Sequence, residues 1–358
     1  MSLPPPIRFD PALEQPTEEE ASVVADLNES FDEIMETTYR DCGHALRAVH
    51  AKSHGVLQGT FVVDSDLPPE LAQGAFARPG EHAAYVRLST NAGDILDDTI
   101  ALPRGLAMKI CDVPGERLPD AEGEAQDFVM VNSPAFAAPD AQSFGKDLKL
   151  LAKTTDRVEG LKKVAAGMAR AGNAVLEAVG ADPSSSLTML GGMPNVEPLG
   201  ETYYSAVPFR YGDHVAKFML RPAAEWMEQL SGETIDPVGR ENAIREDVRA
   251  EMQRGDAEWE FCVQLLRDPE RQPVEDASVE WPRHISPYQR VGLLRVPAQD
   301  SWDQAQVQAI NEEMRFSPWT GLEAHRPLGQ VNRARRDTYR HSADFRARMN
   351  LCPMHEPG

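Results

Sequence analysis

Residues 330–350 read QVNRARRDTYRHSADFRARMN, a run without glycine or proline. At about 100° per residue, Arg335 and Tyr339 fall about 40° apart around a helix, and Arg346 returns to within about 20° of Arg335. Two guanidinium groups then flank a phenol on one side. A cation beside a phenol favours the phenolate, a hard anionic oxygen suited to ferric iron, and the second arginine is free to pair with a carboxylate. The same spacing also describes a solvated basic face carrying one tyrosine.

A second group of chemistry-bearing residues lies near the N-terminus, in Arg47-Ala48-Val49-His50-Ala51-Lys52-Ser53-His54-Gly55. His50 and His54 stand at the i,i+4 spacing of a metal pair, but Ala51 replaces the glutamate of H-E-x-x-H. By itself His50 reads equally as a surface or satisfied core histidine. The four cysteines, Cys42, Cys111, Cys262 and Cys352, form no C-x-x-C pair. They read as small core hydrophobes rather than as a zinc site or disulfide framework.

These residues need elements to position them. A proline-rich arm is expected over 1–16, followed by a single domain over 17–358. Thr17 followed by three glutamates marks a helix start. Val23, Leu27, Phe31, Ile34 and Met35 carry that helix at helical spacing to about residue 45. Short alternating runs at Val56–Val63, His82–Leu88, Leu106–Cys111 and Phe128–Val131 read as strands. Residues 141–180 turn helical. A second strand set follows at Tyr203–Arg210, Ala216–Arg221, Trp259–Leu266 and Gln289–Arg295, with a charged helix over 235–254 between two of them. No βαβ alternation is present, so the fold class is α+β, an antiparallel sheet or barrel with flanking helices.

Charge and composition exclude several function classes. Lys+Arg is 36 against Asp+Glu 57, a net charge of -21 that repels phosphates and disfavours nucleic acid as a partner. No apolar run reaches the ~18 residues that cross a bilayer, and the N-terminus lacks the basic and apolar regions of a signal peptide. A cytoplasmic location is expected. There is no phosphate-binding glycine loop and no G-x-S-x-G.

The histidine segment, followed by Gly59-Thr60-Phe61, resembles the distal-histidine segment of haem catalases, R-x-V-H-A-K-G and then G-x-F. Tyr85–Gly93, with Arg87-Leu88-Ser89-Thr90, is similar to the R-F-S-T-x-x-G run of that family. Leu102–Lys109 is similar to its D-P-R-G-F-A-V-K run. Phe316-Ser317-Pro318-Trp319 resembles the segment before the proximal site, and Arg335-x-x-x-Tyr339 resembles the R-x-x-x-Y ligand motif. The five runs keep the family order over about residues 40–350. The chain is short beside ordinary catalases and resembles the small catalase-related hydroperoxidases.

The resemblance implies a catalase-like β-barrel, with haem b between the barrel and the C-terminal helix. It implies Tyr339 as the proximal iron ligand, Arg335 as its partner, and His50 as the distal acid/base with Ser89 bound to it. Arg47, Arg87 and Arg346 would hold the propionates. Val49 is the residue of true catalases, where the allene oxide synthase branch has threonine. One departure stands out. The distal asparagine run corresponds here to Glu122–Asn132, where no asparagine aligns; Gln126, or Asn132 in a shifted register, would supply the amide. The implied activity is haem-dependent hydroperoxidase chemistry on hydrogen peroxide or organic hydroperoxides, slower than full catalases with the former. A fatty-acid hydroperoxide isomerase or lyase and a non-enzymatic haem-binding protein are the alternatives. A small peroxide is the expected partner, and self-association into a homo-oligomer is left open.

Overall fold

The computed structural model of the chain describes residues 3–152 and 194–357. The described residues form nine strands in two consecutive groups, four before residue 132 and five after residue 202. They are β1 Ser53–Val63, β2 Gly80–Thr90, β3 Arg104–Ile110, β4 Gln126–Val131, β5 Tyr203–Tyr204, β6 Phe209–Tyr211, β7 His214–Pro222, β8 Ala257–Leu265 and β9 Gln289–Val296. All neighbouring pairs are antiparallel. The ladder runs from β5 through β4, β3, β2, β1, β9 and β8 to β7, and β5 pairs with β7. The sheet therefore closes into an eight-stranded barrel, with β6 as an additional partner of β7, and closure removes the free strand edges.

Alternation along the strands divides the barrel into two faces. Val86 and Leu88 of β2, Leu106 and Met108 of β3, and Phe128 and Met130 of β4 point inward to a buried apolar core. Phe61, Phe76, Phe218 and Phe261 fill that core with ring contacts. The intervening residues, Arg87, Ser89, Gly105, Ala107 and Val129, point outward, and the register sets Arg87 opposite Ala107 and Ser89 opposite Gly105. An outward-facing row of small and polar side chains thus runs across three adjacent strands.

Helices cover that outer face. Helix α1, Glu20–Cys42, buries Val23, Leu27, Phe31, Ile34 and Met35, and it ends at Gly43, whose φ of 68° supplies the left-handed cap. Helix α2, Ala141–Ala152, packs on it, as does the C-terminal helix, here α4, Gln330–Met349. Ala334 and Phe345 of α4 join the α1 side chains in one cluster. Arg333 fixes the start of α4 by salt bridges to Glu14, Glu20 and Glu275. Among the described residues no helix is long and apolar enough to cross a membrane.

Most expected elements are present, with two differences among the described residues. The single strand expected over 203–210 is two short strands, because Ala206 adopts a φ of 59° and Pro208 cannot donate to a ladder. The helix expected over 235–254 is α3, Ala243–Met252, because Pro237 and Gly239 (φ 77°) hold the preceding segment in turns. Of the helical stretch expected over 141–180, residues 153–180 lie outside the described residues. Of the arm expected over 1–16, the described residues lie along the barrel, with Ile7 N donating to Leu266 O and Phe9 N to Asp213 O.

Phe128 is 1% exposed and its ring meets Phe76, Phe218, Phe261 and His325. Phe128→Ala is expected to lower unfolding free energy by about 3–5 kcal/mol, the range of large-to-small core truncations. Urea denaturation followed by far-UV circular dichroism checks this; a loss under 1 kcal/mol would show that the barrel core does not rest on this ring.

Candidate active site

The outer face of β2–β4 and the inner face of α4 enclose a cavity of about 1120 Å3, open mouth included. That is at the upper limit of the ~300–1,000 Å3 typical of small-molecule and cofactor pockets. His50, Ser89, Arg47, Arg87, Tyr339 and Arg346 all line it. Residues from three separate parts of the chain therefore meet in one space.

On the helix wall, Arg335 donates from Nη2 to Tyr339 Oη at 2.9 Å, and its guanidinium lies over the Tyr339 ring at 5.0 Å. Arg335 Nη1 is held in turn by Asn332 Oδ1 at 3.1 Å. Asn332 is fully buried, and its own amide donates to Pro208 O. The i,i+4 geometry of a regular helix is enough to bring the guanidinium and the phenol together.

The barrel wall carries His50. Its backbone is in the left-handed region at φ 55°, an uncommon conformation for a residue with a β-carbon. Three contacts hold it there: His50 N donates to Asn91 O, Ala51 N donates to Ala92 O, and Arg87 Nη2 donates to His50 O at 2.8 Å. The imidazole Nδ1 lies 3.0 Å from Ser89 Oγ, which also reaches Gly105 O at 3.5 Å. With the hydroxyl proton directed to Gly105 O, Ser89 accepts from Nδ1–H and the lone pair resides on Nε2. Gly105 is required by this packing, since a β-carbon there would overlap His50 Cε1 and Nδ1. Burial, and then the charges of Arg87, Arg335 and Arg47, push the His50 pKa down to about 3. His50 is therefore a neutral imidazole at physiological pH.

The third feature is a cluster of guanidinium groups. Arg87 and Arg346 are 3% and 2% exposed, so both are desolvated. Arg47 donates to Asn311 O at 2.8 Å and Met314 O at 3.1 Å. Arg346 donates to Asn311 O and Glu312 O. Arg87 donates from Nε to Asn311 Oδ1 at 2.8 Å. Burial and mutual repulsion pull Arg47 and Arg87 below the usual range, Arg87 to about 9. Among the described residues no carboxylate forms a salt bridge with any of the three. The carbonyls come from a π-helical turn, Val307–Glu313, and the residue after it.

Two expected amides lie elsewhere. Gln126 is fully buried outside the cavity lining: Oε1 accepts from Leu322 N and Nε2 donates to Asp127 O. Asn132 pairs with Arg104 N and Glu201. The cavity wall near β4 is Val129 and Met130 instead. His54 is buried against Thr90 Oγ1 and is not in the lining, so it does not pair with His50. Among the described residues no group of histidine, cysteine, aspartate or glutamate side chains is placed to hold a metal ion. Sequence reasoning missed Asn311 and the structural demand on Gly105, although Gly105 lies inside the Arg104-Gly105-Leu106 run quoted above. The cavity mouth adds Asp120, which binds both Arg336 and Arg340.

No protein-family model and no curated protein sequence matches the chain. Solved structures do. A fungal catalase aligns with a TM-score of 0.60 at 18% identity over 87% of this chain and 60% of that one. Catalase A from Saccharomyces cerevisiae aligns with a TM-score of 0.56 at 16% identity, over 87% of this chain and 62% of that one. A bacterial catalase aligns with a TM-score of 0.56 at 16% identity, over 98% and 66%. The chain has a catalase-like fold, an antiparallel β-barrel with flanking helices, and it spans about 60% of the length of the fungal enzyme.

The neutral state of His50 has a consequence for stability. As pH falls through 6.5, the ordinary histidine value, the unfolded chain gains a proton that folded His50 refuses until about pH 3. This residue therefore destabilises the fold progressively between those limits and has no such effect above them. In His50→Ala the stability difference from wild type is expected to move in favour of the variant between pH 7 and pH 5, measured by urea midpoints. A difference that stays constant with pH would mean that His50 takes up its proton near 6.5 in the folded state.

Proposed function

We propose that this chain is a haem hydroperoxidase of the catalase/peroxidase type, with haem b in the cavity and hydrogen peroxide or an organic hydroperoxide as substrate. The observation that carries this reading is the composition of one cavity. A phenol bound by a guanidinium stands on the helix wall, a neutral histidine bound by a serine on the barrel wall, and three arginines without acid partners beside them.

The residues fit the group. Three clustered cations, Arg87 and Arg346 buried and Arg47 half-buried, with the Glu312 carboxylate offsetting only part of their charge, are costly unless a further anion joins them, and the two propionates of haem are such anions. Arg47, Arg87 and Arg346 would hold them. The Tyr339 oxygen would ligate iron, with the Arg335 hydrogen bond favouring the phenolate. When bound, ferric haem supplies an iron centre able to accept a peroxide oxygen and exchange the two electrons of O–O cleavage.

The chain's own residues then handle the proton. His50 Nε2 would take the proton of one peroxide oxygen and return it to the leaving oxygen, general base and then general acid. Ser89 fixes the tautomer and ring orientation this requires. Gly105 leaves room for the ring, and Arg87 holds the strained backbone beneath it. The outward-facing Val129 and Ala107 exclude water from the wall where no side-chain amide stands. That apolar wall supports faster turnover of organic hydroperoxides relative to hydrogen peroxide than in full catalases. It also favours a second reading, rearrangement of a fatty-acid hydroperoxide without net reduction.

Two variants test the reading. Tyr339→Phe is expected to lose the haem content and Soret absorption of the purified wild type. His50→Ala is expected to keep the haem and to lose peroxide turnover by about 10²–10⁴-fold, the usual contribution of a general acid–base group. Stopped-flow oxidation of the ferric protein by hydrogen peroxide and by a fatty-acid hydroperoxide, with product analysis, reads both. Wild-type haem content in Tyr339→Phe, or undiminished turnover in His50→Ala, would overturn the assignment of that residue.

A further inference from the structure

The three guanidinium groups meet at one residue. Asn311 Oδ1 accepts from Arg87 Nε at 2.8 Å and from Arg47 Nη1 at 3.4 Å. Its backbone oxygen accepts from Arg47 at 2.8 Å and from Arg346 at 3.1 Å. Its Nδ2 donates to Glu312 Oε1, and Glu312 Oε2 lies 2.8 Å from His44 Nε2. A carboxylate only accepts, so the amide has one orientation, Nδ2 to Glu312 and Oδ1 to the arginines. Asn311 and Glu312 lie in the last turn of the helix Val307–Glu313, where carbonyls have no intrahelical donor and are free to accept.

The charges give the position its meaning. Burial works against the Glu312 anion, but the hydrogen bond to His44 and the charges of Arg346 and Arg47 outweigh it and hold the carboxyl below the usual range, so it is an anion. The three arginines and this one carboxylate together leave a net charge of about +2, which matches a dianion. An aspartate at 311 would halve that charge and set a carboxylate oxygen against Glu312. The neutral amide supplies the acceptor without spending the charge. Arg87, fixed at Nε by Asn311, uses Nη2 to hold the carbonyls of His50 and Ala51.

We infer that Asn311 is a positioning residue, a neutral hub that gathers Arg47, Arg87 and Arg346 into a dianion site and steadies the His50 backbone through Arg87. The inference rests on the haem reading and deepens it, because the dianion is the pair of propionates.

The test is equilibrium titration of the purified full-length chain with ferric protoporphyrin IX and, separately, with its dimethyl ester, which lacks the two carboxylates. Wild type is expected to prefer the diacid. Asn311→Asp is expected to cut diacid affinity about tenfold or more, the size of one added charge at short range in a partly desolvated site, and to leave ester affinity within about twofold. Glu312→Gln keeps an acceptor for the Asn311 amide and removes the charge, so its preference for the diacid is expected to equal or exceed that of wild type. This second variant carries the test should Asn311→Asp not fold by circular dichroism. Equal losses for diacid and ester in Asn311→Asp would reduce Asn311 to a structural residue, and a diminished preference in Glu312→Gln would remove the charge count. A wild type that binds neither porphyrin would overturn the haem reading and this inference with it. A wild type that prefers the diacid, with Asn311→Asp unchanged, would overturn the inference alone.

Discussion

Three guanidinium groups gathered together, two of them buried and none salt-bridged to a carboxylate, are the constraint on which the rest of the site depends. Each loses hydration on burial, and Arg346 and Arg87 bear on Arg47 as like charges. Backbone carbonyls and one amide satisfy their hydrogen bonds but do not cancel their charge. Such a cluster is expensive in an empty protein and becomes favourable when an anion enters. That conditional cost explains why the surrounding chain is built as it is. The end of a helical turn presents carbonyls that have no intrahelical donor, and an arginine of β2 reaches under the histidine loop.

The barrel supplies the rigidity that this arrangement needs. Its inward faces are packed with aromatic and aliphatic side chains, so its outward row is fixed by register as well as by local contacts. Ser89 lies opposite Gly105 because β2 and β3 pair antiparallel in that register, and the gap left by the glycine receives the His50 ring. The helix wall is independent of the barrel ladder. It is anchored at its start by Arg333 and along its length by the cluster shared with α1. Two rigid walls thus hold a histidine and a tyrosine in the lining of one cavity.

Much of this was legible in the sequence, for reasons that differ by residue. Arg335 and Tyr339 could be paired from spacing alone, because an uninterrupted helix fixes i,i+4 neighbours. The strands of the barrel followed from alternation bounded by turn residues. The convergence of Arg47, Arg87 and Arg346 did not follow from any local pattern; it came from resemblance to catalases, since the three lie on separate elements. Asn311 was invisible because its role depends on a π-helical turn, which leaves no periodic signature. Gln126 was chosen by its place along the chain, yet its amide is consumed by Leu322 N and Asp127 O. The break within 203–210 depended on a positive φ at an alanine, which sequence does not announce.

The central claim is that the cavity between β2–β4 and the C-terminal helix holds haem through Tyr339. A crystal structure of the chain grown with ferric protoporphyrin IX, with the iron located by anomalous scattering, tests it most directly. The account predicts one iron peak per chain at bonding distance from Tyr339 Oη, with both propionates on Arg47, Arg87 and Arg346. An iron peak ligated by His50, or a porphyrin bound outside this cavity, would contradict it.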